Sequence, residues 1–269
     1  MRSRDARPCQ SRPHIIAICA LGLAELALPC PVFSAEAAQA LGVPTSKLLM
    51  RFLPLFVKGT GLTVAISVLS MALATGLGLL LALLRIYGPR WISACVVGYV
   101  EFMRGTPLLI QLFFIYYGLP QLPVVGVELD PFTAAVLGVG LNYAAYEAEI
   151  YRSGFMAVPR QQIEAALALG LSQRQAVRYI VLPQALRLII PPVTNDFVAL
   201  FKDTSIVSIL AIAELTMTFR SASMATGRYV EFAILTALIY FALAYPLSLL
   251  ARRLEKKVHP HHDFGAQHH

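Results

Sequence analysis

Charge is scarce in this chain. Aspartate, glutamate, lysine and arginine make up 14% of its 269 residues, little more than half of the roughly one quarter that soluble domains carry. Together with 57% hydrophobic residues and a mean hydropathy of +0.66, that shortage argues against a water-soluble enzyme. It also rules out a disordered chain, which needs low hydrophobicity and high net charge. Cysteine offers no chemistry, because the four thiols, Cys9, Cys19, Cys30 and Cys95, have neither CxxC nor metal-ligand spacing. The lysines are Lys47, Lys58, Lys202, Lys256 and Lys257, and none follows glycine as a GxxxxGK[ST] phosphate loop requires. Histidine is confined to His14 and residues 259–269, so the apolar segments lack the group that most often serves as acid, base or metal ligand. No catalytic residue and no metal site is assigned.

Long apolar runs are what the chain has in plenty. They predict an all-α membrane protein, a polytopic bundle of about five transmembrane helices at residues 59–84, 91–117, 132–151, 191–213 and 232–250. The net charge of +7 would suggest nucleic acid in a soluble protein. Here the arginines lie between apolar runs and report orientation, so no nucleic-acid partner is expected. One set of connections holds Arg85 and Arg90, then Arg152, Arg160, Arg174, Arg178 and Arg187, then the cluster at 252–257. The other set holds no lysine or arginine at 118–131 and only Arg220 and Arg228 at 214–231. The positive-inside rule places the first set in the cytoplasm, with the N-terminus outside and the C-terminus inside.

Three domains follow. Residues 1–50 are a signal-like or extra N-terminal segment: a basic lead (Arg2, Arg4, Arg7, Arg12), an apolar stretch at 15–28 interrupted by Glu25, and Ala35-Glu36-Ala37. That order describes a secretory leader, with an uncleaved span or an early start codon as alternatives. Residues 51–258 form the membrane domain. Residues 259–269 are a His-rich polar tail whose spacing matches no closed zinc site.

The polar segment 152–183 is too charged to span. Within it, residues 159–169 read as a short helix, with Pro159 at its start and Gly170 just past its end. Ser172 to Gln175 has capping-box spacing for a second helix running towards Val181 and stopping before Pro183. Ala165, Ala166 and Ala168 give the first helix a shallow surface, suited either to a partner's groove or to the plane of the lipid headgroups.

The run Glu164-Ala165-Ala166, Gly170 and Ile180-Val181-Leu182-Pro183 resembles the EAA loop of permease subunits of ATP-binding-cassette importers. Residues 104–111 (RGTPLLIQ), 145–152 (AYEAEIYR), 183–185 (PQA) and 202–205 (KDTS) resemble the branch for polar amino acid uptake, which handles histidine, glutamine, glutamate, arginine and opines. The likeness covers about 52–258. It implies the type I ABC importer permease architecture with a cytoplasmic coupling helix, in a bacterial cytoplasmic (inner) membrane. It implies as partners ABC ATPase subunits, a substrate-binding protein, and a second permease copy or a related permease. ATP is then hydrolysed by the partner subunit, and this chain needs no cofactor. The ATPase-coupling residues carried over are Glu164, Ala165, Ala166 and Gly170, with Glu164 as a polar anchor and the alanines allowing depth in the ATPase groove.

Ionisable groups inside the spans are the remaining signal, since a charge at the bilayer centre costs at least ~2.5–3.5 kcal/mol on insertion scales. Arg104, Lys202 and Asp203, with Gln111, Thr204 and Ser205, either line the substrate pathway and hold the α-carboxylate and amine of a polar amino acid, or pair internally. Glu101 with Arg104 at i, i+3 is one such pair, and Lys202 with a carboxylate on a neighbouring span is another. Asn142 is a further pathway candidate, and Glu147 and Glu149 either anchor the cytoplasmic segment through Arg152 or a neighbour, or touch substrate. Pro107 and Pro191-Pro192 are expected bending points. The alternative function is a stand-alone secondary amino acid transporter. It would use the same charges but not the alanine-rich helix, and inverted repeats would favour it.

Overall fold

The structure, a computed structural model, describes residues 45–123 and 126–258. The leader up to residue 44, three of the cysteines and the His-rich tail lie outside them. Among the described residues all regular structure is helical.

Helix α1 (Thr45–Tyr87) runs for 43 residues. Its apolar part is the expected first span, but the helix begins far earlier and carries residues 45–50 with it. It closes where Gly88 N donates to Leu84 O at 2.9 Å ahead of Pro89. Helix α2 (Arg90–Gly105) follows. The second span is not the continuous segment read from sequence. Thr106 is extended (φ −118°, ψ 144°), as the residue before a proline must be. The chain restarts as α3 (Leu108–Phe113), then a π turn at Phe114–Gly118 and a 3-10 turn at Leu119–Gln121.

Helix α4 (Pro131–Met156) is 26 residues long, about 39 Å. Asp130 caps it, accepting from the Thr133 hydroxyl at 2.6 Å and the Thr133 N–H at 3.0 Å. These bonds, led by the hydroxyl's, hold the Asp130 carboxyl below the usual carboxylate range. Helix α4 is the centre of the bundle, and its buried face is built from small residues, Ala134, Ala135, Gly138, Gly140, Ala144 and Ala145 among them. Small faces let membrane helices approach closely. Here α1 comes so near that a Cβ on Gly78 would lie 2.6 Å from Glu147 Cβ and 3.1 Å from Ala144 O.

The polar segment holds α5 (Arg160–Ala168) and α6 (Gln173–Ala176), the latter with both bonds of the Ser172–Gln175 capping box formed. The second short helix does not stop before Pro183. A π turn at Val177–Val181 leads directly into α7 (Leu182–Asp203), with Pro183 in its first turn. The helix is continuous through Val181, and the π turn, in which Leu182 N donates to Val177 O, is the local adjustment at which Pro183, lacking an N–H, is accommodated. The fourth span therefore starts at Leu182, not at the prolines, and Pro191 and Pro192 lie inside it. It ends in a 3-10 turn at Thr204–Leu210 and a left-handed Ala211 (φ 57°). Helices α8 (Leu215–Thr226) and α9 (Tyr229–Val258) complete the chain.

Three stretches are long and apolar enough to cross a membrane on their own: Ser46–Tyr87, Gln173–Leu210 and Tyr229–Lys256. The other two expected spans are the broken α2–α3 segment and α4. At the end of the bundle that carries α5, Glu149 accepts from Arg85 of α1 and from Arg152 of its own helix. Glu149 thus anchors that end as the sequence suggested, whereas Glu147 is fully buried against α1. At the opposite end Glu214 caps α8 through Thr216 N (2.8 Å) and Met217 N (2.6 Å), and Thr63 Oγ1 of α1 accepts from Leu215 N at 3.1 Å.

Candidate functional site

A cleft of about 510 Å³ opens beside the break between α2 and α3. Arg104 at the end of α2, Thr106 and Pro107 at the break, Asn142, Tyr143 and Tyr146 on α4, and Asp196 and Asp203 on α7 line it. The break makes the site. Ending α2 at Gly105 leaves its last carbonyls without helical donors. Phe102 O accepts from Thr106 Oγ1 at 2.8 Å, and Met103 O accepts from Gln111 Nε2 at 2.9 Å and Asn142 Nδ2 at 3.2 Å. Gln111 Nε2 also lies 2.7 Å from Thr106 Oγ1, while Gln111 Oε1 accepts from Asn142 at 3.0 Å. Irregular backbone at membrane depth persists only where such groups are resatisfied.

This network holds Arg104 at the cleft wall. Its guanidinium carbon is 5.3 Å from the Tyr146 ring centroid, a cation–π contact worth ~0.5–2 kcal/mol according to its exposure. The expected internal pair with Glu101 is not formed: Glu101 and Arg104 are both exposed and share no ion pair. Arg104 instead lines the same cleft as Asp196. Asp203 accepts from the Tyr143 hydroxyl at 2.8 Å. The cleft thus presents one cation and two carboxylates, halfway along α4.

The pathway residues read from sequence separate into groups. Arg104, Asn142 and Asp203 meet at the cleft. Gln111 is buried behind it and fixes the break. Thr204 is buried and donates to Phe201 O at 2.7 Å, and Ser205 is half-buried in the following turn. Lys202 points elsewhere, into a groove between α7 and α9, and no carboxylate pairs with it among the described residues. The sequence reading missed Asp196. The signal was present, because positions seven apart on a helix, such as 196 and 203, share a face.

The connecting helix α5 has two sides. Glu164, Ala165, Leu167, Ala168 and Leu169 are exposed, Leu169 by 84%, whereas Ala166 is buried. Ala166 therefore packs inward, and the shallow outward surface belongs to Ala165 and Ala168. Gly170 is left-handed (φ 84°) and a Cβ there would meet nothing within 4 Å, so backbone conformation alone selects glycine there. Leu171 N donates to Ala166 O at 3.1 Å, closing the helix end. Gln184 of α7 donates to Gln162, tying α5 to the bundle.

The family described as binding-protein-dependent transport system inner membrane component matches residues 74–260. The chain belongs to that family. The chain is 38% identical over 207 residues to the glutamine transport system permease protein GlnP of Escherichia coli (strain K12), covering 77% of this chain and 94% of that protein. It is 36% identical over 209 residues to the arginine transport system permease protein ArtQ of Bacillus subtilis (strain 168), covering 77% and 93%. A solved amino acid ABC transporter with histidines superposes with a TM-score of 0.73 at 36% identity, covering 80% of this chain and 99% of that one. The inward-facing MetNI methionine ABC transporter, at 20% identity and a TM-score of 0.63, shares the fold. The bundle is the type I importer permease architecture, and the membership favours a subunit of an ATP-driven importer over a stand-alone transporter.

Proposed function

We propose that this chain is the membrane-spanning permease subunit of an ATP-driven importer of polar amino acids. Its N-terminus lies outside and its C-terminus in the cytoplasm. A second copy or a related permease completes the pathway, a substrate-binding protein delivers the amino acid from outside, and ATPase subunits seat on α5 from the cytoplasm. The observation that carries the substrate class is the cleft itself. Arg104 offers a planar donor fork to an α-carboxylate, and Asp196 and Asp203 offer acceptors to an α-ammonium group. Such a constellation inside the membrane suits a zwitterion, since a lipid-facing role would leave the charges unsolvated. The names of GlnP and ArtQ agree with it.

The test is uptake of labelled amino acids by proteoliposomes holding the complete transporter. Arg104→Gln should lower uptake at least roughly tenfold, the loss of a charge-assisted bond, while Arg104→Lys should lose less. Unchanged uptake by Arg104→Gln would remove the cleft from the pathway. Orientation is tested separately. A cysteine at Ala165 in a variant lacking the native thiols should react with an impermeant reagent only from the cytoplasmic side, and labelling only from outside would overturn the import assignment.

A further inference from the structure

Lys202 is the one strongly charged pathway candidate that the central cleft does not use. It stands on α7 beside Asp203, whose partner Tyr143 marks the middle of the 26-residue α4. Neighbouring positions on a helix do not face one another, so Asp203 turns to the cleft and Lys202 to the next face. There it lines a groove of about 420 Å³ between α7 and α9. The far wall is a stripe of α9, with Tyr240, Phe241, Tyr245 and Ser248 leading to Arg252. Arg252 lies three turns beyond Tyr240, about 18 Å along the helix, towards the end that carries α5. The groove is therefore aromatic and polar along its length, with a cation at the bilayer's middle and another near its basic side.

Neither cation is spoken for. Among the described residues no carboxylate pairs with Lys202 or Arg252, and Glu255, one turn from Arg252, is held by Asn195. An ionised lysine at that depth faces a watery path or a protein partner rather than lipid. Two unpaired cations in one groove select an anionic group, and the adjoining cleft ends one residue away on the same helix.

We propose that this groove, which begins beside the cleft at the depth of Asp203 and runs to Arg252 near the cytoplasmic end, is a second carboxylate-binding station, in which Lys202 and then Arg252 take the carboxylate of the amino acid as it leaves the cleft. The stripe of Phe241 and Tyr245, stacked at 5.2 Å, supports the substrate's side chain during release. This inference rests on the reading of the chain as an amino acid importer. Lys202 acts on the substrate after the cleft has bound it, so its removal slows release and wastes ATP, whereas removal of Arg104 prevents loading.

The experiment uses the complete transporter in proteoliposomes, with labelled glutamine and arginine as probes and ATP hydrolysis followed in parallel. Lys202→Gln should raise the ATP hydrolysed per amino acid moved roughly tenfold, the effect of losing one charge-assisted bond, and Lys202→Arg should restore most of it. Arg252→Gln should shift the ratio in the same direction. A cysteine at 202, in a variant lacking the native thiols, should react with an impermeant reagent from the cytoplasmic side and be protected by substrate during turnover. An unaltered ratio in Lys202→Gln, or a cysteine at 202 that no reagent reaches, overturns the station. So does loss of the permease–permease assembly in Lys202→Gln, which would make Lys202 an ion-pair partner of the second subunit. If Lys202→Gln is normal while Arg104→Gln fails, the second station alone falls. If both are normal, the amino acid cleft falls with it.

Discussion

Asn142 of α4 donates to Gln111 of α3 at 3.0 Å, and through that contact the central helix is stitched to the broken second span. Gln111 in turn reaches Met103 O and Thr106 across the break. Replacing it with leucine keeps the volume roughly but removes the donor to Thr106 O and Thr106 Oγ1 and leaves Met103 O and the Asn142 amide with only their bond to each other. We expect Gln111→Leu to destabilise the permease by about 2–3 kcal/mol, the cost of buried polar groups left unmade. Thermal aggregation of the detergent-solubilised transporter, read by size-exclusion chromatography, checks it. A midpoint unchanged from the parent would mean that the break holds itself.

The approach of α1 to α4 gives a second prediction with a built-in control. A Cβ at Gly78 meets Glu147 Cβ at 2.6 Å and two backbone atoms of α4 at 3.1 Å, whereas one at Gly76 meets nothing within 4 Å. Backbone cannot step aside as a flexible side chain can, so the helices must separate and lose packing. Gly78→Ala should cost about 1–3 kcal/mol as an overpacked contact. Gly76→Ala should be neutral or slightly stabilising, because alanine is the better helix former. Membrane accumulation and melting of the two variants, compared side by side, decide the matter. Equal behaviour would show that α1 and α4 are not so closely packed.

How much of this was legible in the sequence depends on whether a feature is local. Gly170 was readable because a left-handed residue closing a helix is a local requirement, and the Ser172–Gln175 box because its bonds span three residues. The apolar runs gave the bundle. Proline misled in both directions. Pro107 reads as a bend and is a full break, since Thr106 is extended and Gln111 and Asn142 are placed to resatisfy it. Pro183 and Pro191-Pro192 read as boundaries and are not, since one is accommodated by the π turn before it and the others are carried within α7. A local rule states the penalty of a proline but not which neighbours relieve it. The site shows the same division. Residue types and depth pointed to Arg104, Asn142 and Asp203, but helix rotation decides that Lys202 faces a different groove. It also decides that Ala166 turns inward while Ala165 turns outward.

The bond from Tyr143 to Asp203 separates charge from geometry in the cleft. Asp203→Asn keeps an oxygen to accept from the Tyr143 hydroxyl and removes only the negative charge. If Asp203 attracts an α-ammonium group, the variant should raise the KM for uptake by roughly tenfold, as expected for a lost bond to a charged partner. Tyr143→Phe should do much less, because the carboxylate remains. Transport kinetics with the loaded binding protein as the varied component measure both. A Tyr143→Phe variant as impaired as Asp203→Asn would assign Asp203 a packing role.

Ala165 and Ala166 are adjacent in the sequence and opposite in consequence. Ala166 is buried, with only 4% of its surface exposed, in a helix that packs on α6 and the π turn following it. Leucine there overfills the chain's own interior and should destabilise the permease by about 1–3 kcal/mol, visible without any partner. Ala165 is exposed, on the face to which the proposed function assigns the ATPase. Leucine at that position leaves the permease's own packing intact but raises the surface that must enter a groove, so it should weaken co-purification of the ATPase several-fold while the permease melts as the parent does. Measuring melting and ATPase retention on both variants tests the division. Should Ala165→Leu retain its ATPase fully, or Ala166→Leu lose the ATPase with no loss of stability, the partner-facing side of α5 has been assigned to the wrong residues.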